Sequence, residues 1–182
     1  MAQSLGVEDN PCYSRKIGVV IVSDDHQILS TGYNGPPAGT PHTDTEEYLR
    51  DFFWPQLTDN EKSTFITNGL NTASKFGHEY AGCKVCPRRL VEAGSGQRSS
   101  LCSCQHAERN AISRATSSLK DSTIFVWGCS PCIDCTGAII NSRIKTVHTV
   151  SGNLYHPEAL WLLKKANINY IEHDPAKFED GV

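Results

Sequence analysis

Two short motifs, His106-Ala107-Glu108 and Pro131-Cys132-Ile133-Asp134-Cys135, constrain this chain more than any other feature. Whatever the fold, it must bring one imidazole and two thiols from separate segments to a single point. Three such ligands leave a fourth position for water, which is how a catalytic zinc differs from a closed structural one. On this reading His106, Cys132 and Cys135 hold the metal, and Glu108 is free to move protons. Cys132 and Cys135 are spaced so that both thiols share one face of a first helical turn. The partial positive charge at a helix start favours thiolates there. Pro131 suits the position at or just before such a start, where no backbone N–H is needed. His106 and Glu108 open a second stretch whose apolar residues, Ala107, Ala111, Ile112 and Ala115, place them at another helix start. The plainer reading is a small structural zinc knuckle, or isolated buried cysteines. A lone Cys-x-x-Cys would leave that reading strong, and the paired motifs weigh against it.

Composition narrows the setting. A chain of 182 residues suits one domain with a substantial core. A net charge of −3 speaks against an electrostatic nucleic-acid binder. No apolar run approaches the roughly 18 residues that span a membrane. Residues 1–10 carry neither the basic nor the apolar region of a secretory signal, so a cytoplasmic enzyme is expected. The eight cysteines then read as metal ligands and reduced thiols rather than disulfides.

Strands are expected at 16–22 and 28–33, joined as a hairpin through the turn Asp24-Asp25-His26-Gln27. Residues 34–41 read as a loop, and 43–80 as an insertion of short helices packed on the core, not as a separate domain. A cysteine-rich excursion follows at 83–104. Then come a helix (about 106–119), a strand (about 122–128), a helix (about 132–142), a strand (about 144–150), a helix (about 156–166) and a strand (about 168–172). That alternation argues for an α/β sheet with helices on both faces.

A second group of thiols lies in the excursion. Cys83-Lys84-Val85-Cys86 and Cys102-Ser103-Cys104 can close a tetrahedral structural zinc site, and the second pair ends just before His106. The alternative is four reduced cysteines without metal. Cys12, His42 and His78 are further candidate ligands, and Cys129 reads as a small core residue near the first site.

The paired His-x-Glu and Pro-Cys-x-x-Cys pattern resembles that of the zinc nucleobase deaminases. From about Lys16 to Tyr170 the chain is similar to that superfamily. Thr31-Gly32-Tyr33-Asn34-Gly35-Pro36-Pro37-Ala38-Gly39, His106-Ala107-Glu108-Arg109-Asn110-Ala111-Ile112 and Cys86-Pro87-Arg88-Arg89 resemble blocks of its deoxycytidylate (dCMP) deaminases. The resemblance implies a three-layer α/β/α cytidine deaminase-like fold with a central mixed five-stranded sheet. It implies hydrolysis of dCMP to dUMP and ammonia. Asn34 would contact deoxyribose or phosphate, the backbone around Ser130 would read the base, and Tyr155 would line the pocket. It further implies a hexamer activated by dCTP with Mg2+ and inhibited by dTTP, with Tyr33, Gly35, Gly39 and Asn110 in the effector loop. The second zinc of relatives draws ligands from regions that here contain Cys12. Two departures stand out: the family's N-terminal helix is nearly absent, and the 43–80 insertion is long.

A phosphate needs cationic or N–H donors. Arg15, Lys16, Arg88, Arg89, Arg98 and Arg109 are available, and the sequence does not choose among them. Three rival readings remain. One is a deaminase of another cytosine nucleoside or nucleotide, and one is a polynucleotide deaminase, which calls for basic grooves and stacking aromatics. The third is a zinc-binding regulatory module without catalysis, against which Glu108 weighs.

Overall fold

A computed structural model describes residues 1–7, 12–76, 85–94, 96–150 and 156–178. Two compact units emerge. The first contains the N-terminal helix, Arg15–Asn34 and the chain from Gln105 onward; the second contains residues 12–14 and Gly35–Cys104.

The first unit carries a mixed five-stranded sheet in the order β2-β1-β3-β4-β5. Its strands are β1 (Gly18–Val22), β2 (Ile28–Tyr33), β3 (Thr123–Trp127), β4 (Thr146–Val150) and β5 (Asn169–His173). β1 is antiparallel to both β2 and β3, while β3, β4 and β5 run parallel. The β-branched run Gly18-Val19-Val20-Ile21-Val22 suits a central strand buried on both faces, and Val19, Val20 and Ile21 are all buried.

Three helices pack with one pleat face: α4 (Ala107–Arg114), α5 (Ile133–Asn141) and α6 (Pro157–Lys165). Val19, Ile21, Ile124, Val126 and Val147 from the strands meet Ala107, Ala111, Ile139 and Leu163 from these helices in one continuous core. The small residues Ala107 and Ala111 let α4 approach closely. A side chain at Gly32 of β2 would come within 2.6 Å of the Ala111 backbone nitrogen, and nearer still to the Ala107 carbonyl. Gly32 is therefore the residue that allows this strand and helix to touch backbone to backbone. Ser30, also on β2, donates its hydroxyl to the Ala111 carbonyl at 2.6 Å.

Two boundaries depart from expectation. α4 stops at Arg114 rather than near residue 119, because Ala115 turns extended and Leu119 returns to the core. The N-terminus, expected to be almost without helix, forms the short α1 (Ala2–Val7), which packs on β1. On the other pleat face Phe125, His148 and His173 form a row of stacked rings, with Phe125 still 38% exposed.

The second unit has a core of its own, built from Tyr48, Phe53, Leu57, Phe65, Leu90, Val91 and Leu101. Where short helices were expected, residues 59–76 form one long helix, α2 (Asp59–Phe76). Thr58 and Glu61 start it reciprocally: the Glu61 carboxylate accepts the Thr58 N–H at 2.9 Å, and the Thr58 hydroxyl accepts the Glu61 N–H at 3.3 Å. A short helix, α3 (Pro87–Leu90), follows. Among the described residues no helix is long and apolar enough to cross a membrane.

Candidate metal centre and its surroundings

His106 is the N-cap of α4 and Cys132 the N-cap of α5, so the two helix starts expected from the motifs are both present. Extended backbone at each cap, with φ of −69° and −74°, turns the chain abruptly into its helix. His106 Nδ1 lies 3.4 Å from Cys132 Sγ and 3.4 Å from Cys135 Sγ. The three ligating atoms lie within 4.8 Å of one another, and this is the group of at least three potential ligands found among the described residues. Tetrahedral zinc with its usual bond lengths would hold nitrogen and sulfur about 3.5 Å apart. The donors already have the spacing such an ion imposes, and their chemistry, one imidazole and two thiolates, suits it.

A hydrogen bond from Cys135 is the main reason Cys132 is pulled down to about 3, assisted by His106. Cys135, donating that bond, is pushed up. The bond to Cys132 likewise raises His106, against the effect of its burial. Ligation requires both thiols as thiolates, so metal binding at this cluster would release protons.

Glu108 follows in the first turn of α4, 3% exposed, and burial raises its pKa. Cys135 hydrogen-bonds it. Burial beside the donor cluster thus favours the protonated form of this carboxyl group.

The remaining expected residues divide. Asn34 is buried, and its side chain is committed to backbone: Nδ2 donates to the Arg15 carbonyl at 3.2 Å, and Oδ1 accepts the Ala107 N–H at 2.9 Å. Ser130 is buried two residues before Cys132. Asn110 donates to the Tyr33 carbonyl at 2.8 Å, which joins those two members of the expected effector loop. Gly35 and Gly39 belong to the second unit, where Gly39 takes a φ of +78°. Tyr155, Cys83 and His78 lie outside the described residues.

In the second unit Cys104 hydrogen-bonds both Cys102 and Cys12, and the charges of Cys102 and Cys12 both act on Cys86. Cys12 thus meets Cys104, and Cys86 lies near enough to Cys12 and Cys102 to feel their charges. Cys102 is lowered to about 7 by the bond from Cys104. His42, another candidate ligand, pairs through Nδ1 with Asp44, which also accepts the Tyr13 hydroxyl at 2.8 Å.

Two contributors were not anticipated from sequence. His156 Nδ1 accepts the Ile133 N–H at 3.2 Å and fixes the start of α5. Gly32 sets the depth of α4, and a glycine inside a strand pattern was the available signal.

Comparison with known proteins agrees with this geometry. Residues 1–151 match the model of the cytidine and deoxycytidylate deaminase zinc-binding region. The deoxycytidylate deaminase of Enterobacteria phage T2 is 32% identical over 141 residues, covering 76% of this chain and 70% of that one. The deoxycytidylate deaminase of Schizosaccharomyces pombe is 25% identical over 175 residues, covering 94% of this chain and 42% of that one. Among solved structures, the apo dCMP deaminase of cyanophage S-TIM5 superposes with a TM-score of 0.54 at 17% identity, covering 94% of this chain and 90% of that one. That likeness establishes the mixed-sheet fold.

Proposed function

This chain belongs to the cytidine and deoxycytidylate deaminase family, and on that premise we propose that it hydrolyses dCMP to dUMP and ammonia. The observation that carries the reading is the buried Glu108 beside the convergent donors His106, Cys132 and Cys135. A purely structural metal site has no use for a buried carboxyl group that is not a ligand. The relative from phage T2 names the nucleotide.

His106, Cys132 and Cys135 would hold zinc. When bound, zinc supplies a Lewis acid that activates water at neutral pH. Glu108 accepts a proton from the attacking water, delivers it to N3 of the cytosine and then helps protonate the departing amine. One carboxyl group can serve both atoms when it lies within reach of both, and burial favours its protonated form. Ser130, at the approach to Cys132, offers backbone groups to the base. Asn34 holds the segment around Arg15 against α4, and Tyr155 would line the pocket. Among competing readings, a net charge of −3 argues against a polynucleotide substrate.

The reading extends to a second, structural zinc on Cys83, Cys86, Cys102 and Cys104. The hydrogen bond between Cys104 and Cys12 supports Cys12 as a ligand in place of one of the four. The reading also includes a hexamer, activation by dCTP with Mg2+ and inhibition by dTTP, with Tyr33, Gly35, Gly39 and Asn110 in the effector loop. The Asn110–Tyr33 hydrogen bond supports coupling of that loop to the helix that carries Glu108.

The test is ultraviolet-monitored deamination of dCMP, with CMP, deoxycytidine and dCTP as rivals, each with and without dCTP–Mg2+ or dTTP. Fast loss of dCMP, raised by dCTP and suppressed by dTTP, is the expected result. Zinc-loaded protein that is inert on every mononucleotide would overturn it.

A further inference from the structure

We infer that Arg15 is the cation that reads the 5′-phosphate of the substrate and so makes the enzyme a mononucleotide deaminase. This rests on the reading above that a cytosine nucleotide occupies the site.

Three contacts place Arg15. β1 and β3 pair antiparallel with Gly18 opposite Trp127, so the chain entering β1 runs beside the chain leaving β3. Gly128, at a φ of +104°, tightens this contact: a side chain there would stand 2.6 Å from the Lys16 carbonyl. Residues 15–17 are thereby pressed against the segment that leads through Cys129 and Ser130 to Cys132. From the other side, Asn34 binds the Arg15 carbonyl with one end of its amide and the Ala107 N–H with the other. A single side chain therefore separates the Arg15 backbone from the residue after His106.

The guanidinium itself hydrogen-bonds the Cys129 thiol, on which the charges of Glu108 and Cys132 also act. Arg15 is half-buried, so it stands at the margin of the centre rather than within it. Burial pushes Cys129 up to about 12, which keeps the thiol neutral at physiological pH. A neutral thiol steers the guanidinium without cancelling its charge. Guanidinium is also the group best shaped to take two phosphate oxygens at once.

The other cations fit less well. Arg88 is engaged with the Gln97 carbonyl, Arg89 with the Ser14 hydroxyl and Arg98 with Glu61. Lys16 is exposed and offers only a point charge. Arg109 acts on His106 and Cys135, and its Nε is buried. It is the natural comparison.

The experiment measures kcat/KM for dCMP and deoxycytidine in wild type, Arg15→Gln, Arg15→Lys and Arg109→Gln. Calorimetric binding of dUMP and deoxyuridine accompanies it. Arg15→Gln should lower the dCMP-to-deoxycytidine ratio about 10- to 100-fold, mainly through KM, and weaken dUMP relative to deoxyuridine. Arg15→Lys should restore part of the ratio. Arg109→Gln should preserve it. Equal losses on both substrates in Arg15→Gln, or a ratio that collapses in Arg109→Gln instead, would overturn the inference while leaving the dCMP reading intact. Wild-type protein that neither deaminates dCMP nor prefers dUMP over deoxyuridine would overturn both.

Discussion

The side-chain oxygen of Asn34 accepts the backbone N–H of Ala107 at 2.9 Å. This bond ties the end of β2 to the first residue of α4, directly beside His106. It satisfies a buried N–H that the helix itself cannot, since the first turn of any helix lacks internal acceptors.

Asn34→Ala should therefore cost about 1–3 kcal/mol of stability, the usual penalty for stranding a buried donor. Asn34→Asp keeps the acceptor for Ala107 and loses the donor to Arg15, so it should fall between the two. Denaturant unfolding compares the three. Equal stability in wild type and Asn34→Ala would show that the bond contributes nothing.

Glu108→Gln should lower turnover of dCMP by about 10²–10⁴-fold, the range for losing a general acid–base group. Its zinc content should match wild type, because Glu108 is not among the three convergent donors. Metal analysis of purified protein decides this, and loss of zinc in the variant would mean that the carboxyl group is a ligand.

Gly32→Ala forces a methyl group against the α4 backbone, where only 2.6 Å is free at the Ala111 nitrogen. The helix must retreat, with a cost of about 1–3 kcal/mol for overpacking. Because His106 and Glu108 travel with α4, activity should fall along with the melting temperature. Unchanged melting would place slack at this contact.

In the second unit, Asp44 accepts hydrogen bonds from His42 and Tyr13. Burial opposes its ionisation, but these bonds outweigh burial and lower its pKa from the ordinary 3.8. A lowered folded-state value means that the unfolded chain takes up the proton first as pH falls. The contribution is therefore complete above about pH 5 and disappears as pH drops through the folded value. Asp44→Asn should destabilise at pH 7, and the gap to wild type should shrink below pH 4. A gap independent of pH would assign the effect to packing.

The centre was legible because ligand chemistry dictates residue identity. Few side chains other than histidine and cysteine could replace His106, Cys132 and Cys135, and the spacing of the two cysteines suits the first turn of a helix. Strand positions were legible from β-branched runs such as 18–22. Contacts between remote segments were not. Nothing local in Cys12 announces that it will meet Cys104, because that meeting depends on how the second unit closes. His156 shows no sign in sequence that it caps α5. The length of α2 was hidden by its polar, mixed composition, although Thr58 and Glu61 mark its start. The end of α4 was misjudged because Ala115 continues the apolar spacing after the helix has stopped.

The chain leaves the sheet-bearing unit after Asn34 and re-enters it at Gln105. Both mouths of this excursion open at the same clasp, where Asn34 grips Ala107. Lengthening a tethered loop is thermodynamically cheap, about 0.6 kcal/mol for each doubling. The second unit is thus built like an exchangeable cassette. A change in the length of residues 35–104 should leave the sheet-bearing unit intact, provided the residues on either side of the cut still close the clasp.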